Sequence, residues 1–243
     1  SPCGEQRIVY ADWTASGRLY RPIEEALLNQ FGPFVGNTHS ESSVTGSSMT
    51  VAYHEAQHVL KRHVKATADD LILTCGAGMT AVVNKLQRIL GLKAPEGLRR
   101  YIDIAAHERP VVFVTHLEHH SNHTSWYETI ADVVVVPPDA QGVVSLVALE
   151  EQLHEYRQRP VKIGAFSACS NVTGIFTPVH EMARLMHRAG GVALIDYSAS
   201  APYVDIDMHP AGDPEGALDA VLLSPHKFLG GPGASGVVIF RRA

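Results

Sequence analysis

The sequence predicts a three-layer α/β/α fold on a mainly parallel sheet, and three observations carry that expectation. Apolar runs of strand length alternate with helix-period segments along most of the chain, the signature of α/β architecture. Those runs are continuous and rich in β-branched residues, as suits strands buried on both faces. The chain has 243 residues, 45% hydrophobic and 19% charged, which is enough material for a large core and unlike a disordered composition.

The elements follow in order. Pro22 at a first helical turn and Gly32 after Phe31 bound a short leading helix. Residues 71–74 (LILT) read as the first strand, and residues 80–90 as a helix closed by Gly91. Residues 91–108 form a surface excursion. Strands are expected at 111–114 and 133–136, then a helix presenting Leu146, Leu149, Leu153 and Tyr156 on one face. A strand at 163–166 and a helix at 178–188, ended by Gly190 and Gly191, come next. Strands at 192–195, 221–223 and 237–240 close the series. No repeat, low-complexity tract or linker divides the chain. It opens on Ser1 rather than Met and stops just after an apolar run, so it is read as a piece of something longer.

Charge and cysteine usage narrow the function classes. Twenty basic residues against 25 acidic ones give a formal net charge of -5, so there is no electrostatic footprint for nucleic acid or an anionic membrane. No apolar run approaches the ~18 residues of a membrane span, and no signal-peptide pattern opens the chain. Cys3, Cys75 and Cys169 are scattered and odd in number, which makes no disulfide framework. A reducing, cytoplasmic setting is the expectation, or an organelle interior.

In open parallel sheets ligands sit beyond the carboxyl ends of strands, so the chemistry is sought there. After the first strand, Gly76-Ala77-Gly78-Met79-Thr80-Ala81 fits G-x-G-x-x-A. A dinucleotide site would also need a second strand ending in an acid about 20 residues on. The weaker expectation is an anion cradle at a helix start, with Thr80 adding a hydroxyl. After the second strand, His116, Glu118, His119, His120 and His123 crowd together. Adjacent His119 and His120 diverge on any regular backbone, so no metal site is expected; an imidazole there can stack on a planar cofactor. After 163–166 stand Cys169 and Asn171, the latter the longest-reaching donor of a polar loop. Asp196 ends an apolar strand, where burial raises a carboxyl pKa unless a cation meets it. Ser224, His226 and Lys227 follow the next strand, before a glycine-rich turn; a lysine held from water there becomes nucleophilic. Together these groups suit an anionic aromatic aldehyde.

Ser224-Pro225-His226-Lys227, with Asp196 and Glu118-His119-His120-Ser121-Asn122 upstream, resembles the class V aminotransferases, fold-type I pyridoxal-phosphate enzymes. The cysteine desulfurase/selenocysteine lyase branch is most similar. The segment from Tyr10 to Gly17 and Asn37-Thr38-His39-Ser40 resemble it too, and matches run from about residue 8 to 241. The resemblance implies that residues 1–243 are the cofactor-binding large domain, with residues 1–20 as an N-terminal arm. It makes Lys227 the Schiff-base lysine and the base at the substrate α-carbon, and Asp196 the partner of the pyridinium nitrogen. His119 would stack on the ring and Asn171 donate to the ring hydroxyl. Gly78, Met79, Thr80, Ser224 and His226 would form the phosphate cup. An amino-acid substrate and a homodimer are implied as well.

Three departures accompany the resemblance. Ala199 stands where the family has a Gln, between Ser198 and Ser200, and Met79 replaces the first Thr of the phosphate loop. The family's C-terminal small domain, with the desulfurase cysteine and the carboxylate-gripping arginine, lies beyond this chain, and none of the three cysteines matches that cysteine. Desulfurase activity therefore does not follow from the sequence. The alternatives are a non-catalytic fragment or relic of the same fold, and a nucleotide-dependent oxidoreductase using the turn at 76–81.

Overall fold

A computed structural model describes residues 2–242; Ser1 and Ala243 lie outside the described residues. The chain begins with α1 (Arg21–Ala26), prolonged by a wide π-type turn Leu27–Phe31 and a 3-10 turn Gly32–Phe34, and continues with α2 (Val44–His63). There follow β1 (Leu71–Ala77), α3 (Gly78–Ile89), α4 (Glu96–Arg99), β2 (Val111–Thr115), α5 (His120–Tyr127), β3 (Asp132–Val136) and α6 (Leu146–Glu155). The last elements are β4 (Lys162–Ser167), α7 (Val179–Arg188), β5 (Val192–Asp196), β6 (Ala220–Leu223) and β7 (Ser235–Phe240).

Among the described residues, seven strands form one sheet in the order β1-β7-β6-β5-β4-β2-β3. β7 runs antiparallel to both neighbours, and the other strands share one direction. The continuous apolar runs have the cause expected of them, because alternate residues of one strand face opposite ways. Val111, Phe113, Val221 and Leu223 pack on one face with Leu149, Leu153, Met182 and Met186 of α6 and α7. Val112, Val114, Ala220 and Leu222 pack on the other with Val82, Val83 and Leu86 of α3 and Trp126 of α5. That is the three-layer α/β/α architecture expected from the sequence.

Several local expectations are corrected. The first strand runs on to Ala77, where it still pairs with Ser235 across an irregularity at Gly76, so the helix begins at Gly78. The leading helix is regular only to Ala26. The 20-residue α2 and the short α5 had no sequence signal. In α2 only Gly46 is buried, so an apolar stripe is missing; a Ser43 cap on the Gly46 N–H and the basic end Lys61, Arg62 and His63 support the helix instead. The dinucleotide alternative is overturned by topology. That motif needs the strand after the crossover helix to lie in the same half-sheet, whereas β1 and β2 are separated by β7, β6, β5 and β4.

The strand order reverses between β4 and β2: β3 lies outside β2, while β5 and β6 extend the opposite way. β2 and β4 pair only as far as Phe113 and Gly164, and then splay. Such a crevice at the carboxyl ends is where open α/β sheets bind ligands.

Candidate active site

All nine residues singled out from the sequence line one cavity of about 500 Å³ beyond the strand ends: Gly78, Met79, Thr80, His119, Asn171, Asp196, Ser224, His226 and Lys227. The topology explains the convergence of positions so far apart in the chain, since each strand of common direction delivers its following loop to the same edge.

The turn from β1 into α3 supplies one wall. Gly78 has φ +60°, and a Cβ there would stand 2.7 Å from His226 Cε1, so glycine meets both a backbone and a space requirement. The residue before α3, Ala77, offers no side-chain cap. Met79 N–H donates to Ser224 Oγ (2.9 Å), and Thr80 Oγ1 donates to Ser121 Oγ (2.7 Å). The start of this 12-residue helix thus faces the cavity with its positive end.

The β2 and β4 ends supply the second wall, with Ser167 and His119 on the cavity and Glu118 behind them. The Glu118 carboxylate accepts five hydrogen bonds. Oε1 takes Thr115 N–H (3.3 Å), Thr115 Oγ1 (2.8 Å) and Ser167 N–H (2.9 Å); Oε2 takes Ser167 Oγ (2.7 Å) and Asn122 Nδ2 (2.7 Å). One side chain therefore ties together two strands just where their own pairing stops. Burial pushes the Glu118 carboxyl up, and these donors pull it back. Next in sequence, His119 caps α5 by accepting the Ser121 N–H at Nδ1 (3.2 Å) and presents its ring to the cavity. Two other histidines of this cluster turn elsewhere: His116 Nε2 bonds the Gly142 carbonyl, and His123 lies against Tyr127. Among the described residues no three His, Cys, Asp or Glu side chains gather as ligands for a metal ion.

Asp196 and Lys227 face the cavity from β5 and from the 3-10 turn after β6. Asp196 is 5% exposed. Burial raises its carboxyl, opposed by hydrogen bonds from Ser198 and by the charges of Lys227 and His119. Burial lowers the Lys227 ammonium, opposed by Asp196 and Asp12. The lysine is thereby biased toward the neutral amine, while the carboxylate holds nearby positive charge. Burial and the adjacent Lys227 charge also lower His226.

The sequence missed several contributors. Asp12, Thr14 and Ala15 line the cavity because the N-terminal segment is strapped to the Lys227 loop. Gly17 N–H donates to the His226 carbonyl (2.9 Å), Gly230 N–H to the Arg18 carbonyl (2.7 Å), and a Cβ on Gly17 would overlap the Phe228 carbonyl. Ser167 and Ser198 also line it. Glu118 was visible in the sequence as a member of a histidine cluster and of the segment from Glu118 to Asn122 that carries the resemblance, with no role assigned to it. Its clue was an acid set between a strand and Asn122, four residues on. Cys169 lines the cavity half-buried, its thiol pushed up by burial.

A family model described as class-V aminotransferase matches residues 9–243. The chain is 28% identical over 241 residues to a probable cysteine desulfurase of Halalkalibacterium halodurans, covering 97% of this chain and 54% of that protein. It is also 28% identical to a probable cysteine desulfurase of Mycobacterium leprae, covering 98% of this chain and 53% of that one. The chain thus spans about half the length of the curated relatives it matches. Its fold is shared with an apo cysteine desulfurase of Thermococcus onnurineus, with a TM-score of 0.72 and 18% identity over 97% of this chain and 54% of that one. A NifS-like protein of Rickettsia africae gives 0.73 and 17%, over 97% and 58%. The match over nearly the whole sequence places the chain in the class-V aminotransferase family.

Proposed function

We propose that this chain is the cofactor-binding domain of a pyridoxal-phosphate enzyme, a transferase or lyase acting on an amino acid. The observation that carries the reading is the meeting of Lys227 and Asp196 in one cavity, each desolvated and each within the other's field. The residues fit the group. An uncapped helix start with two hydroxyls beside it suits a phosphate, and a buried carboxylate suits a protonated ring nitrogen.

When bound, pyridoxal phosphate supplies an electrophilic carbon for amines and a ring that withdraws electrons. Gly78, Met79, Thr80, Ser224 and His226 would hold the phosphate, His119 would cover one ring face, and Asn171 would donate to the ring hydroxyl. Asp196 would keep a proton on the ring nitrogen. Lys227, biased toward its neutral form, would accept and return a proton at Nζ, next to the substrate α-carbon. The enclosed Asp196 side of the cavity keeps water from that carboxylate.

A homodimer belongs to the same reading. It is supported by exposed apolar side chains on the turns that follow α1, including Leu27, Leu28, Phe31, Phe34 and Val35. Among the described residues no helix is long and apolar enough to cross a membrane. Ala199 lining the cavity, where the family has Gln, favours a second reading, a relic that binds the cofactor without turnover.

The test adds pyridoxal phosphate to wild type and Lys227→Ala and records the visible spectrum before and after borohydride. A band made covalent only when Lys227 is present supports the assignment; a folded wild type with no band refutes it. Covalent capture without turnover of any amino acid selects the relic.

A further inference from the structure

The position of the family's Gln is Ala199, which has no donor, and the two serines beside it are not equivalent. Ser200 is buried, its Oγ has no hydrogen-bond partner among the described residues, and it is not part of the cavity wall. Ser198 is part of that wall; its N–H donates to Asp196 Oδ1 (2.9 Å), and its Oγ lies 2.9 Å from Ser224 Oγ.

The hydrogen positions follow from what each end of this chain can do. Met79 N–H, at the start of α3, can only donate, and it donates to Ser224 Oγ. A carboxylate can only accept. One arrangement uses every hydroxyl hydrogen: Ser224 O–H donates to Ser198 Oγ, and Ser198 O–H joins its own N–H on the Asp196 carboxylate, the Ser198 side chain being one of the groups that lower that carboxyl. All the donors then point toward Asp196, away from the positive end of the helix, so successive bonds polarise one another. Asp196 needs them, because Lys227 and His119 act on it through space and no hydrogen-bonded cation reaches it among the described residues.

We propose that Ser198 is a positioning residue for Asp196, the last link of a directed hydrogen-bond chain Met79–Ser224–Ser198–Asp196 that joins the helix start to the buried carboxylate. The hydrogen-bond chain couples the two ends of the cavity, so a group that draws on the Met79–Ser224 end also changes the donors at Asp196. This rests on the cofactor reading only for which ligand feels the coupling.

The experiment follows the Asp196 carboxyl by carbon-13 NMR in the 243-residue chain labelled at aspartate, with Asp196→Asn to assign the signal. The groups facing it are Lys227 and His119, with Asp12, His226 and Cys169 on the same cavity wall, so the titration is compared between variants rather than read absolutely. Ser198→Ala raises the Asp196 midpoint, Ser198→Cys moves it the same way as a weaker donor of similar size, and Ser198→Thr restores it. Ser200→Ala leaves it unchanged. In the same preparations Ser198→Ala weakens pyridoxal phosphate binding about tenfold, as loss of one hydrogen bond to a charged group implies. A midpoint in Ser198→Ala and Ser198→Cys equal to wild type overturns the proposal whether or not the cofactor binds. A shifted midpoint in a protein that does not bind pyridoxal phosphate retains the chain and refutes the cofactor reading instead.

Discussion

Removing the Glu118 carboxylate should loosen the crevice at which the site is built, and the structure sets the size of the effect. In Glu118→Ala five donors lose their acceptor, but they do not suffer equally. The Thr115 and Ser167 hydroxyls can rotate, and Asn122 Nδ2 keeps the Ala165 carbonyl at 3.2 Å. The Thr115 and Ser167 backbone N–H groups cannot turn, and β2 and β4 have already parted, so neither finds a ladder partner. Two stranded buried donors at roughly 1–3 kcal/mol each give a loss of about 4 kcal/mol. In Glu118→Gln the carbonyl must sit at Oε1 to serve both backbone donors, so the amide meets Asn122 and Ser167 Oγ; one lost bond there predicts only about 1–2 kcal/mol. For a chain of this size, 4 kcal/mol is a fall in Tm of roughly 8–16 °C. Urea and thermal unfolding of the three proteins at pH 7 measure it. If Glu118→Ala unfolds within 1 kcal/mol of wild type, the carboxylate does not clamp the two strands and the reasoning fails.

Three further outcomes are expected. Gly78→Ala, which puts a Cβ 2.7 Å from His226 Cε1 at φ +60°, should lower stability by roughly 1–3 kcal/mol and abolish pyridoxal phosphate binding; titration of the variant with unchanged affinity would contradict the cradle. Gly17→Ala should detach the N-terminal strap from the Phe228 carbonyl, so trypsin should cut at Arg18 markedly faster than in wild type, with the remaining fragments equally resistant. Asp70 supplies a pH test. Burial works to raise its carboxyl, but hydrogen bonds from Thr67 and His209 outweigh it and hold the pKa below the usual value. A depressed folded pKa stabilises above the unfolded value near ~3.9, and the contribution vanishes as pH falls through the folded value. Wild type should therefore exceed Asp70→Asn by roughly 1–2 kcal/mol at pH 7, with the gap closing below about pH 4; a gap constant from pH 7 to 3 would refute the linkage.

The sequence by itself determined the strands and most of the sheet-covering helices. Double-sided burial forces runs such as 111–114 and 221–223 to be apolar at every residue, and that is a local signal. It also pointed to the strand ends that carry the nine cavity residues, because a parallel sheet gathers its ligand groups at the carboxyl ends of strands; the choice of those nine among the strand-end groups came from the family resemblance. α2 was hidden because it buries almost nothing, so no periodicity was imposed on it. Glu118, Ser198 and the strap at Gly17 were hidden for another reason: each acts through a partner 26 to 211 residues away, Ser224 for Ser198, Ser167 for Glu118 and Phe228 for Gly17. Only the tertiary structure decided that the His-rich segment disperses, that four strands separate β1 from β2, and that Ser198 rather than Ser200 meets the cavity. Hydrogen-bond partnership across strands depends on which loops the topology brings to one edge, and no residue's local chemistry encodes that.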